Sequence, residues 1–148
     1  MDRALLRIAA TASLIAAALH AGAVGEHFAE WWGYGVFFLA ASIVQGLYGL
    51  VLFALPEHPK WDPADWVAWR RRLYGLGIVG NLAVVLLYVV TRTTGIPLFG
   101  PEAGEVEAFD AYGLATKGVE LLTVLVLAGL LHRVRAGAAA PQAAPRAS

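Results

Sequence analysis

Apolar residues run in four long stretches, at about 4–24, 33–55, 73–90 and 112–131, separated by shorter polar segments. Each approaches the ~20 residues an α-helix needs to cross a bilayer core of ~30 Å. The pattern predicts an all-α integral membrane protein, an up-down bundle of four transmembrane helices. One membrane domain is expected over 1–135, with an Ala-, Pro- and Gly-rich tail over 136–148 that should be disordered. The segment between the third and fourth stretches, about 91–111, carries Gly95, Pro97, Gly100, Pro101 and Gly104. That composition predicts an ordered turn structure, and its length is that of a lid or binding loop.

Composition agrees. Hydrophobic residues make up 59% of the chain and charged residues 15%, with mean hydropathy +0.63, where a soluble domain carries about a quarter charged residues. The zero net charge argues against nucleic acid as a partner. The absence of cysteine excludes disulfides and thiolate metal sites, and the only methionine is Met1. The natural partner is the lipid bilayer, with a membrane-protein partner or a second copy of the chain as the protein partners to expect.

Basic residues segregate. Arg3, Arg7, Lys60, Arg70, Arg71, Arg72, Arg133, Arg135 and Arg146 fall at one set of span ends, and Arg92 alone at the other. The positive-inside rule then predicts a multi-pass protein of the cell (inner or plasma) membrane with both termini in the cytoplasm. A rival reading takes 1–23 as a cleaved signal peptide ending at Ala21, Gly22 and Ala23. It would leave three spans in the same orientation.

Packing signals follow. The first span is rich in alanine, the second holds Ser42 and Gly46 four apart, and the third holds Gly75, Gly77 and Gly80. Small residues let helices approach closely in lipid, so the Ala-rich first and Gly-rich third spans should sit closest. The third-span glycines match a dinucleotide fingerprint in spacing only, because no strand precedes them. Asp62, Pro63 and Asp65 predict a capped helical turn, with Trp66 and Trp69 as interfacial anchors, leading into the third span.

Against this background His20, Gln45, Asn81, Lys117 and Glu120 are out of place. Ser13, Ala16, His20, Ala23 and His27 share one stripe of the first helix, and Tyr74, Gly77, Asn81 and Tyr88 one stripe of the third. Lys117 and Glu120 are three apart and can pair. The five form a candidate ladder from the outer mouth to the membrane centre, since intramembrane ionisable residues mark function by default. The plainer alternative is interhelical adhesive. Arg92 is placed to pair with a loop acid and hold the loop closed.

Glu26, His27 and Glu30 are the candidate metal ligands, a His and carboxylate set suited to Zn, Mn or Fe. His20 lies ~10.5 Å from His27 along a straight helix, so it joins them only if the chain bends at Gly22 or Gly25. Haem is a weaker expectation, because His20 and His27 lie toward one side and His58 and His132 toward the other. No nucleophile motif marks a catalyst, and a non-enzymatic protein is the expectation.

The strings EHFAEWWGYGVFF and TRTTGIPLFGPEAGEVEAFD resemble the outer-face segments of small four-span bacterial integral membrane proteins of an uncharacterised family. The resemblance covers most of 4–131. It implies a class and no activity. The functional expectation is a polar site opening to the extracytoplasmic face and binding a metal or small ligand. The alternatives are an accessory subunit of a larger membrane complex, or a proton or ion path through Lys117 and Glu120.

Overall fold

The computed structural model describes residues 3–55, 60–96 and 100–139. They form four helices, α1 (Arg3–Glu30), α2 (Trp32–Phe53), α3 (Pro63–Thr93) and α4 (Ala111–Ala139). All four are long and apolar enough to cross a membrane. Leu6, Leu52, Leu55, Tyr74, Leu127, Leu130 and Val134 share one apolar cluster. The start of α1, the end of α2, the start of α3 and the end of α4 therefore lie at one end of the bundle, here the termini end. The opposite end, the hairpin end, carries the α1–α2 turn and the α3–α4 loop.

The helices outrun the apolar stretches. In α1 helical structure continues through Gly25 to Glu30, so 25–30 are not a loop. Trp31 alone separates α1 from α2, with extended backbone (φ −164°, ψ 137°). So tight a turn works because Gly33 and Gly35 lack side chains. A Cβ at Gly33 would lie 2.1 Å from the Trp31 ring, and one at Gly35 2.1 Å from the Phe28 ring. Asp62 caps α3 as expected, its carboxylate accepting from the Ala64 amide at 2.8 Å. The predicted turn and third span are one continuous helix of 31 residues. Trp61, Trp66 and Trp69 cluster at its start, with Trp66 stacked on Trp69 at 5.4 Å. Helix α4 runs on to Ala139, so 136–139 are helical where a disordered tail was expected. Residues 140–148, like His58 and Pro97, lie outside the described residues.

Helix α1 packs along α2 and α4, and α3 packs on α4. The expectation that α1 and α3 sit closest is thus corrected. The small residues that matter face α2: Gly46 meets Ala17, and Gly49 meets Leu14 and the Ala10 carbonyl. Of the third-span glycines only Gly77 is packed, against Tyr48 and Leu127, while Gly75 and Gly80 face open space. Side chains bridge α2 to α3, where the Tyr48 hydroxyl donates to the Leu73 carbonyl at 3.0 Å. The outward faces of α2 and α3 carry exposed Val44, Leu47, Leu50, Leu76, Val79 and Leu86, as suits a lipid solvent. In such a solvent apolar helices would have no hydrophobic reason to associate, and close packing and polar contacts would hold the bundle.

A matched pair of substitutions tests this. Gly49→Ala pushes against the α1 backbone and should cost about 1–3 kcal/mol. Gly75→Ala meets nothing and should be neutral or gain up to ~1 kcal/mol in helix propensity. Thermal unfolding in detergent compares them. Equal effects would contradict the α1–α2 contact.

Candidate functional site

All four helices send polar side chains to one level of the bundle interior. Counted from the hairpin end at ~1.5 Å per residue, His20 and Glu120 lie ~14–15 Å down, Asn81 ~18 Å and Gln45 ~20 Å, with Lys117 nearer at ~9 Å. The expected ladder is therefore closer to a single layer, with Lys117 above it. Glu120 is the centre and is 0% exposed. His20 Nε2 sits 2.8 Å from Glu120 Oε1. Gln45 Nε2 donates to the same oxygen at 3.0 Å and to Asn81 Oδ1 at 3.4 Å. Lys117 Nζ lies 2.5 Å from Glu120 Oε2. Asn81 Nδ2 donates to the Gly77 carbonyl at 2.8 Å, and the Ser13 hydroxyl donates to the Gln45 carbonyl at 2.7 Å. With Glu120 ionised, His20 donates from Nε2. His20 Nδ1 and Gln45 Oε1 are then buried without a hydrogen-bond partner among the described residues.

Arg92 stands apart from this layer. It closes the hairpin end, pairing with Glu107 and, at 3.3 Å, with Asp110. Asp110 is also the N-cap of α4, its Oδ1 accepting from the Gly113 amide at 2.6 Å. That amide, helped by Arg92 and opposed by partial burial, holds the Asp110 carboxyl below the usual carboxylate range. The loop is folded tightly: Gly95, Gly100 and Gly104 adopt positive φ, and the Gly104 amide donates to the Ile96 carbonyl.

On the hairpin side of the Glu120 layer the rings of Phe38 and Tyr88 lie against its polar residues, and the Tyr112 hydroxyl donates to the Leu19 carbonyl next to His20. Phe38 stands between His27 and His20, at centroid distances of 3.8 and 5.5 Å. Tyr88 stands between Arg92 and Lys117, at 4.7 and 5.6 Å from its centroid. Sequence reasoning missed Phe38, which no spacing singles out in an apolar helix. It also missed Gly113. The Asp110 cap three residues before that glycine was the legible signal.

The candidate metal set does not assemble. Among the described residues no group of three His, Asp or Glu side chains is placed to hold an ion. His27 instead donates from Nδ1 to the Ala23 carbonyl at 2.9 Å, and α1 continues as helix through Gly22 and Gly25, which keeps His20 and His27 apart. Two clefts lie toward the termini end. One, of about 310 Å³, is lined by Arg7, Ile8, Ile15 and Leu122 among others, and the other by Arg3, Arg7, Leu52 and Phe53 among others. Neither touches the Glu120 cluster.

No protein-family model, curated protein or solved structure matches the chain.

Two outcomes test the geometry. Glu120→Leu leaves Lys117 buried without its anion and should cost ~3–5 kcal/mol, whereas Lys117→Leu with Glu120→Leu removes both charges and should cost at least ~1 kcal/mol less. Unfolding in detergent reads the difference. At the loop, the lowered Asp110 pKa means its tie contributes fully above the unfolded value of ~3.9 and is lost as pH falls through the lower folded value. The native chain has no cysteine, so a spin label on Ala103→Cys reports the loop alone. It should be immobilised from pH 7 down to about 4 and loosen below, while Arg92→Gln should loosen it at pH 7. Equal mobility with and without Arg92 would refute the tie.

Proposed function

We propose that this chain is a multi-pass protein of the cell membrane with both termini in the cytoplasm, and that its function is carried by a proton-exchanging site at Glu120, open to the extracytoplasmic face. The observation that carries this reading is the convergence of three titratable side chains, His20, Lys117 and Glu120, in one hydrogen-bonded cluster supplied by all four helices. Such groups are costly at this depth and mark ion or proton sites by default. The members touch one another and neither cleft reaches them. A cluster so filled suits a proton better than a metal or a small molecule.

The site is one-sided. Toward the termini end Leu6, Ala10, Leu52, Tyr74, Leu127 and Leu130 form an apolar core. Toward the hairpin end lie Lys117, Tyr88, Arg92 and the acids of the loop. The segregation of basic residues supports placing the hairpin end outside. The protein then takes up and releases protons on one side and conducts none across.

Infrared difference spectroscopy on the protein in vesicles tests this. Acidifying the outside should raise a protonated-carboxyl band that Glu120→Gln abolishes, while the vesicles stay tight to protons. No Glu120 band anywhere between about pH 4 and 9 would leave the cluster as packing adhesive and sink the reading. A sustained proton current would overturn the one-sided site. Orientation is checked separately: a membrane-impermeant maleimide should label Ala103→Cys on intact cells, and Ala136→Cys only after lysis.

A further inference from the structure

The two clefts at the termini end meet at one side chain, since Arg7 borders both. The larger, about 310 Å³, is a furrow between α1 and α4. Along α1 it runs from Arg7 past Thr11 and Ala12 to Ile15, and Val119 and Leu122 line it from α4. Its middle is built of small groups. Ala12 is buried, and next to Val119 a Cβ on Gly118 would meet nothing within 4 Å. Ile8, Ile15 and Leu122 are half-exposed, so the furrow opens sideways on the outer surface of the bundle. Ile15 is eight residues on from Arg7, or ~12 Å of helix. That is most of the ~15 Å that half of a ~30 Å hydrocarbon core measures. The smaller cleft, about 170 Å³, lies beside Arg7 against Leu52 and Phe53 of α2.

Two polar groups in the furrow are unspent. Helix threonines commonly return their hydroxyl to a carbonyl one turn back, as Thr91, Thr93, Thr94, Thr116 and Thr123 do. The Thr11 hydroxyl makes no hydrogen bond among the described residues. Arg70 bonds Tyr74 and Arg92 pairs with Glu107, whereas Arg7 has no hydrogen bond or ion pair among the described residues. Arg7 and Thr11 are four apart and share a helix face.

We infer that this furrow binds an anionic phospholipid of the surrounding leaflet: the Arg7 guanidinium takes the phosphate, the Thr11 hydroxyl donates to a glycerol-ester carbonyl, and one acyl chain lies along α1 and α4 as far as Ile15 and Leu122. The inference rests on the membrane placement proposed above and is independent of proton exchange at Glu120. A cation at one end of an apolar furrow matches the polarity of a lipid. Free phosphate would leave the apolar walls unused. An apolar helix of a second copy would leave Arg7 and Thr11 facing hydrocarbon. The guanidinium fork fits phosphate oxygens in pairs, and its long stem reaches the interface from within the first turns of α1. Arg3, Arg133 and Arg135 lie at the same end of the bundle. Such basic settings between membrane helices favour an anionic head group over one that carries its own ammonium.

Native mass spectrometry of the full-length protein in detergent tests this, by titration with phosphatidylglycerol and with phosphatidylcholine of the same acyl chains. One phosphatidylglycerol per chain should be retained, about fivefold or more tighter than phosphatidylcholine. Arg7→Gln should weaken retention roughly tenfold or more, and Thr11→Val about threefold. Thr11→Trp fills the furrow without removing a charge and should abolish retention. Arg71→Gln removes an equal charge from the exposed side of α3 and should leave retention as it is. Thermal unfolding without added lipid should be alike in all of these chains, which separates loss of lipid from loss of fold. Equal retention of the two lipids, equal weakening by Arg7→Gln and Arg71→Gln, or undiminished retention in Thr11→Trp would each overturn the site. So would displacement of the lipid by an equal concentration of glycerol 3-phosphate, or a dimer cross-linked through Ile8→Cys in place of bound lipid. A purified chain that stayed soluble without detergent would remove the membrane placement itself, and the site with it.

Discussion

A carboxylate with no solvent exposure, at the centre of four helices each long and apolar enough to cross a membrane, is the constraint on which this structure turns. A lone charge at the centre of a membrane span costs at least ~2.5–3.5 kcal/mol on insertion scales. Glu120 is tolerated because α1 supplies His20, α2 supplies Gln45 and α4 supplies Lys117, while Asn81 of α3 anchors Gln45. Each partner fixes the rotation and depth of its helix. Sliding any helix by one turn, ~5.4 Å, breaks its hydrogen bond. The polar layer thus sets register in a bundle where apolar contacts alone would permit many.

The same layer divides the bundle. Below it the packing is close and apolar, built on Leu52, Tyr74, Leu127 and Leu130. Above it the interior is occupied by rings and charged groups: Phe38 with His27, Tyr88 with Arg92 and Lys117. Arg92 joins the two levels of the hairpin end. Its guanidinium packs on a ring inside the bundle and pairs with two carboxylates of the loop. Helix dipole and charge agree at Asp110, whose acid caps α4 where a negative charge is favoured.

Much of this was legible in the amino-acid pattern, and the reasons differ from residue to residue. The four helices were, because the length of an apolar run is a direct physical requirement of the bilayer. The interior faces were too. The stripe Ser13, Ala16, His20 and Ala23 is buried along α1, and Tyr74, Gly77 and Asn81 are the buried residues of α3. Polar residues in an apolar run announce their facing because lipid excludes them. Helix ends were less legible. The segment 25–30 reads as a loop by polarity yet is helical, since a helix end outside the lipid core needs no apolar residues. Helix adjacency was misread, because glycine spacing in α3 does not reveal that Gly75 and Gly80 face outward. The metal set fails on placement: among the described residues no three His, Asp or Glu side chains come together to hold an ion, and α1 continues as helix through Gly22 and Gly25, which keeps His20 from His27.

Whether the Glu120 cluster is adhesive or active turns on what an adhesive requires. A buried ion pair gives little net stability, and well-packed apolar residues of similar volume commonly serve as well or better. Gln45 and Asn81 already supply a neutral interhelical hydrogen bond of the kind that holds membrane helices together. Adding a lysine, a glutamate and a histidine to that bond multiplies the groups to be satisfied. In this structure it leaves His20 Nδ1 and Gln45 Oε1 without partners among the described residues. An arrangement that holds exchangeable protons within hydrogen-bond distance, at such a cost to packing, is poorly suited to adhesion alone. That mismatch is the physical ground for the proposed proton exchange at Glu120.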